Sequence, residues 1–212
     1  MILIGISGKK GVGKDLLASF LREKYGFVNL PFAQELKASV RRDFNLSLED
    51  TDGVNKEKKT SFSQGILVSF DEDGNTINST GYWTPREIMI QYGQFFRQFD
   101  KNYWIKKTFQ KINLVKSEVK IAQWEDDLKF TISDVRFKNE ADYIKEQGGY
   151  LVRLERKPEL NIYKEQSTDL SEIDLDDYNK FDYILQKELN ITPQDLKEAA
   201  DDIMNQIKAK LK

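Results

Sequence analysis

Gly8-Lys9-Lys10-Gly11-Val12-Gly13-Lys14 fits the pattern G-x-x-x-x-G-K, and its flanks constrain the fold more than any other stretch of the 212-residue chain. Ile2 to Ile6, just before it, is a short apolar run of the kind that forms a strand buried on both faces. Lys14 to Tyr25, just after it, carries Leu16, Leu17, Phe20 and Leu21 on one helical face and stops at Gly26, a C′ glycine. Strand, glycine-rich turn and helix in that order let backbone amides converge on an anion, with the positive end of the helix behind them. Lys14 is then placed to reach the β- and γ-phosphates of a nucleotide. Where this pattern usually continues with Ser or Thr, the chain has Asp15. A carboxylate is a hard oxygen donor that can serve Mg²⁺ directly or through water, so a metal role survives while a generic ATPase or GTPase is disfavoured.

The same alternation continues along the chain. Phe27 to Phe32 reads as a second strand and Gln34 to Phe44 as a helix with Leu36 and Val40 inward. Residues 45–64 are polar and turn-rich and are expected to be mobile. Ile66, Val68 and Phe70 alternate before Asp71-Glu72-Asp73-Gly74-Asn75, which predicts a β-hairpin over 65–79. Thr84-Pro85-Arg86-Glu87 has capping-box spacing with Pro at the first helical position, and Ile88, Met89, Tyr92, Phe95 and Phe96 form the apolar face that follows. A helix is expected from about Asn102 to Leu114 with Trp104, Ile105 and Phe109 inward, then a short edge strand at Val119 and Ile121. Phe130 to Ser133, Tyr150 to Arg156 and Asp182 to Leu185 read as further strands, with a helix over 138–147 between the first two. Thr192 and Pro193 open a C-terminal amphipathic helix carrying Leu196, Ala199, Ile203, Ile207 and Leu211. Strands alternating with helices imply an α/β fold with a doubly wound, mostly parallel sheet. The expected organisation is one domain, 1–212, with a flap or hairpin lobe inserted at 45–83.

Composition excludes much of the remaining chemistry. The chain has no cysteine and no histidine, so disulfides, thiol or imidazole nucleophiles, Ser-His-Asp triads and Cys/His zinc sites are all ruled out. Acid–base and metal work falls to Asp, Glu, Lys, Arg and Tyr. A net charge of −2 lacks the basic field of a dedicated nucleic-acid binder, so a small-molecule partner and no nucleic acid are expected. No apolar run reaches membrane-spanning length and no basic region precedes the N-terminal apolar run, which predicts no membrane association and a cytoplasmic setting. Asp71-Glu72-Asp73-Gly74 and Asn179-Lys180-Phe181-Asp182 imitate GTPase motifs, but the first falls in a hairpin turn and the second precedes its apolar run instead of following it.

Only eight of the 33 basic residues are arginine, which draws attention to where the planar fork is used. Arg86 and Arg97 flank the aromatic helix, Arg136 follows a strand that ends in Asp134, and Arg153 and Arg156 lie on the 150s strand. Asp134 sits at the carboxyl end of a parallel strand, where open α/β sheets bind ligands, and Arg136 and Glu140 are four apart and can share a helix face.

At these residues the chain resembles the deoxynucleoside monophosphate kinases of tailed bacteriophages, a branch of the P-loop nucleotide kinases. The matching stretches are Gly8 to Asp15, Leu30 to Lys37, Thr84 to Glu87 through Tyr92-Gly93-Gln94, Ile132 to Glu140, Gly148 to Arg153 and, more weakly, Ser171-Glu172. The resemblance implies Mg²⁺-dependent transfer of the ATP γ-phosphate to a deoxynucleoside 5′-monophosphate, giving the diphosphate. It places Gly8, Lys10, Gly11, Val12, Gly13, Lys14, Asp15 and Leu16 on the donor side, with Arg156, and Asp15 and Asp134 at the metal. It places Arg86, Gly93, Gln94, Arg97, Trp104 and Arg136 on the acceptor side, with Trp104 as a wall against the base. Catalytic roles fall to Lys14, Asp15, Arg86, Asp134, Arg136 and Glu140. A homodimer, and a host-cell cytoplasm for a phage-encoded chain, are implied by the resemblance alone. Leu16 and Gln94 stand where the family often has Thr, which leaves base selectivity open. The competing readings are a P-loop kinase for a modified pyrimidine nucleotide or other small phosphorylated metabolite, and a nucleotide-switched P-loop NTPase that binds nucleic acid.

Overall fold

The computed structural model describes residues 1–70, 76–121, 128–156, 170–188 and 190–210. Its elements run β1 (Ile2–Gly8), α1 (Lys14–Tyr25), β2 (Val28–Asn29), α2 (Phe32–Phe44), α3 (Leu48–Thr51), a 3₁₀ turn (Val54–Glu57), β3 (Ser63–Phe70) and β4 (Thr76–Tyr82). They continue with α4 (Pro85–Phe99), α5 (Tyr103–Ile121), β5 (Lys129–Val135), α6 (Lys138–Glu146), β6 (Tyr150–Arg156), α7 (Leu170–Ile173), β7 (Tyr183–Lys187) and α8 (Pro193–Lys210). The chain divides into two compact units, Met1–Phe32 with Ile105–Lys212, and Ala33–Trp104.

The first unit is built on a five-stranded sheet in the order β2-β5-β1-β6-β7, with every pairing parallel. The two-residue period of β1 explains its two buried faces. Ile4 and Ile6 pack with Leu17 and Leu21 of α1 and Leu196 and Ile203 of α8. Leu3 points the other way, into a second core with Ile105, Phe109, Phe130, Ile132 and Ile144. Each such aliphatic side chain contributes roughly 1.5–3 kcal/mol by leaving water. Because β1 is central, with β5 on one side and β6 on the other, the chain winds away from it in both directions. The carboxyl end of β1 is therefore the switch point at which open sheets bind ligands.

The second unit contains the antiparallel β3–β4 hairpin expected over 65–79; its Asp-Gly turn at 71–75 lies outside the described residues. Thr84 caps α4 as expected: its hydroxyl accepts the Glu87 N–H, and the Glu87 carboxylate accepts the Thr84 N–H at 2.7 Å. Aromatic rings hold this unit together, with Phe96 stacked on Tyr103 at 4.5 Å and edge-on to Trp104 at 5.6 Å.

Three expectations are corrected. Residues 45–64 are not turns alone: Ser47 and Asp50 form a reciprocal capping box on α3, and Asp52 accepts from Lys37 and Arg41 of α2. Val119 and Ile121 are not an edge strand but the last turn of α5. Ile112, Val115 and Val119 keep three- and four-residue spacing, and the first two pack on the core. The second strand shrinks to Val28–Asn29 because α2 already begins at Phe32.

Candidate active site

Gly8 ends β1 with φ 149°, and a Cβ there would lie 2.6 Å from the Leu154 carbonyl oxygen of the paired strand β6. Gly13, at φ 106°, caps α1 without a side-chain hydrogen bond, and a Cβ on it would lie 2.8 Å from Leu196. The loop thus turns where only glycine fits and delivers the unpaired N–H groups of the first turn of α1 to its mouth. Lys14 is buried, and its ammonium donates to the carbonyls of Gly8 at 2.6 Å and Lys9 at 3.0 Å. Burial lowers its pKa first and the Arg136 guanidinium lowers it further, against the carboxylates of Glu172, Asp15 and Asp134. These five charged groups form one electrostatic cluster at the carboxyl ends of β1 and β5.

Within that cluster the acids are held by neutral donors. Thr131 donates to Asn29 Oδ1 at 3.1 Å, Asn29 Nδ2 to Ser133 Oγ at 3.1 Å, and Ser133 to Asp15 Oδ1 at 2.9 Å. This relay from β5 through β2 orients an otherwise exposed carboxylate. Asp134 Oδ1 accepts the Phe32 N–H at 2.7 Å, so the acid at the end of β5 also anchors the start of α2. Glu140 is buried, and its Oε2 accepts from the Arg136 and Phe137 amides at 2.8 and 3.1 Å. That geometry makes it the cap of α6 and holds the Arg136 backbone. Arg136 itself donates to Glu172 Oε1 at 2.5 Å and to Ser171 Oγ at 3.4 Å. Arg156 reaches the loop, donating to the Gly11 carbonyl at 2.5 Å.

The acceptor-side candidates other than Arg136 lie in the second unit. Arg86 Nε pairs with Glu57, and Gln94 lines a groove of about 360 Å³ with Phe44, Tyr92 and Phe95. Gly93 is buried in α4, where a Cβ would lie 3.3 Å from Leu36 and 3.2 Å from the Arg97 guanidinium, so this glycine serves helix packing. Trp104 is 3% exposed, its indole N–H donates to the Gly93 carbonyl, and its ring packs against Tyr92, Phe96 and Tyr103. The GTPase-like Asp182 is structural as well, accepting from the Leu151 N–H and from Lys145.

Sequence reasoning gave Ser133 and Asp176 no role. Ser133 stood beside Asp134 at a strand end, which was a usable signal. Asp176 carried none; it accepts from Lys9 and from the buried Arg153, which also donates to Ser7 of β1. Among the described residues no cluster of three acids could enclose a metal ion, and no helix is long and apolar enough to cross a membrane.

No protein-family profile matches the chain. A protein of Acanthamoeba polyphaga mimivirus, provisionally named a deoxynucleotide monophosphate kinase, is 32% identical over 193 residues, 87% of this chain and 88% of that one. Among solved structures, the dephospho-CoA kinase of Campylobacter jejuni superposes with a TM-score of 0.53 over 99% of this chain and 98% of its own, at 14% identity, a likeness of fold. With a kinase phosphate loop at the switch point of a kinase-like sheet and a relative matched over most of both chains, this protein belongs to the P-loop nucleotide kinase family that includes the mimivirus protein.

Proposed function

We propose that the chain transfers the γ-phosphate of ATP to a deoxynucleoside 5′-monophosphate, giving the diphosphate. The observation that carries this reading is the convergence of Lys14, Asp15, Asp134 and Arg136 on one phosphate loop. The name of the mimivirus relative supports the acceptor class. Phosphoryl transfer asks the protein for alignment and charge neutralisation more than for covalent help. The loop amides and Lys14 hold the donor phosphates, and Lys14 exchanges the Gly8 and Lys9 carbonyls for phosphate oxygens. Arg136 spreads charge over the transferred group through its fork.

Asp15 and Asp134 fit Mg²⁺, which takes hard oxygens and keeps several waters and substrate phosphates in its shell instead of needing an all-protein cage. When bound, Mg²⁺ neutralises phosphate charge. Ser133 fixes the orientation of Asp15 toward that role, and Phe32 N–H does the same for Asp134. An acceptor phosphate is already a competent nucleophile, so the absence of histidine removes nothing the reaction needs.

The test is a coupled ADP-release assay with ATP and Mg²⁺ against a panel of ribo- and deoxynucleoside monophosphates, with single-stranded DNA and no acceptor as controls. Selective turnover with deoxynucleoside monophosphates, lost in Lys14→Ala, is expected. Turnover only with DNA, or only acceptor-independent hydrolysis, refutes the acceptor assignment.

A further inference from the structure

Two carboxylates from the segment that begins at α7 return to the phosphate loop across more than half the chain. Glu172 Oε2 accepts the Lys10 N–H at 3.0 Å while its Oε1 accepts from Arg136 Nη1 at 2.5 Å. Its side chain is only 17% exposed, so this bridge is more than a solvated surface pair. Lys10 N–H is one of the loop amides, and Arg136 is the arginine best placed to meet a transferred phosphate. A carboxylate that accepts from both makes the contacts an anionic phosphate oxygen makes with the same two donors. Of the carboxylates that raise the Lys14 pKa against the effect of burial, Glu172 acts most strongly.

We propose that Glu172 is a built-in phosphate mimic: it holds Lys10 N–H and Arg136 together, and the donor phosphate displaces it on binding. The inference rests on the loop being the donor-phosphate site. The chain just after Glu172 is tied down through its side chains, so the displacement asks only the Glu172 side chain to move. Asp174 accepts the Lys138 N–H at 2.7 Å, and Asp176 accepts from Lys9 and from Arg153, itself 5% exposed. Donor binding therefore releases Arg136 from a carboxylate and hands it to phosphate in one exchange. The apparent affinity for nucleotide is lowered by the population in which Glu172 holds the loop.

The experiment compares the binding of ADP and of inorganic pyrophosphate to the full chain and to Glu172→Gln by titration calorimetry. The amide keeps the shape and an acceptor oxygen and removes the charge. Nucleotide is expected to bind about tenfold more tightly, the difference between a charged and a neutral hydrogen bond set against the incoming phosphate. Equal or weaker binding overturns the proposal, since a merely structural Glu172 can only cost affinity when altered. If neither protein binds either probe, the donor-site reading falls and takes the proposal with it. Glu172→Asp, one methylene short of bridging both donors, is a second test should the first variant not fold. It is expected to tighten binding severalfold, and an unchanged affinity in it is equally fatal.

Discussion

Replacing Gly8 by alanine puts the geometry of the phosphate loop to a quantitative test. The new Cβ would lie 2.6 Å from the Leu154 carbonyl oxygen and 2.7 Å from Val12 Cγ1. An ordinary carbon–oxygen contact is roughly 3.3 Å, so about 0.7 Å must be found by moving backbone. Leu154 is the register partner of Gly8 in the parallel ladder, and its oxygen cannot swing aside as a side chain would. Overpacking of this kind costs about 1–3 kcal/mol, and a non-glycine residue at φ 149° adds about 1–3 kcal/mol of backbone strain. Because the displaced atoms carry the loop amides, a shift approaching 1 Å is also expected to cost on the order of 10²-fold in kcat/KM. Gly26→Ala is the matched control. It too has a positive φ, 75°, but nothing lies within 4 Å of its Cβ, so only the left-handed penalty of about 1 kcal/mol applies and activity is kept. Denaturant unfolding and steady-state kinetics on both variants read the two effects. Equal destabilisation of the two, or full activity in Gly8→Ala, refutes the close-approach argument.

Arg136→Lys keeps the charge but loses the fork, and kcat is expected to fall about 10–100-fold with a smaller change in the KM for ATP; a silent substitution makes Arg136 structural. Trp104→Phe removes a buried indole and its bond to Gly93, so unfolding stability should drop by about 1–3 kcal/mol while the preference among bases stays the same. A changed base preference would support a stacking role for Trp104. Asp195, held by Lys187 first and by the Thr192 amide and hydroxyl, has its pKa lowered from 3.8 to about 2. A depressed carboxylate stabilises the fold above its unfolded pKa and loses that contribution as pH falls through its folded one. Asp195→Asn should therefore be less stable than the parent at neutral pH, with the gap closing between about pH 4 and pH 2 in chemical denaturation. A gap that persists in acid refutes the assignment.

The features legible in the sequence were those written locally. The glycine spacing at 8–14 specified a turn that only a Cβ-free backbone makes, and the short apolar runs of β1, β5 and β6 specified strands buried on both faces. The capping box at Thr84-Glu87 needs only three residues of separation to act. The same logic, applied to Ser47-Leu48-Glu49-Asp50, would have found α3; the polar composition of 45–64 hid it. Tertiary packing overrode local pattern at Val119 and Ile121: a β-branched pair two apart reads as strand, but α5 runs on to Ile121 behind Ile112 and Val115, which pack on the core.

The candidate site divides along the same line. Lys14 and Asp15 follow from their place in a motif, and Asp134 and Arg136 from their place at a strand end, because chain direction and sheet handedness bring strand ends together wherever the loops lead. Whether an indole stacks on a base or fills a core depends on what surrounds it in space, and Trp104 has Gly93, Tyr92 and Phe96 around it. Glu172 and Asp176 are separated from Lys10 and Lys9 by more than 160 residues. A charge pair over that distance leaves no periodicity, cap or turn in the sequence, since its energy comes from a proximity that only the folded sheet creates.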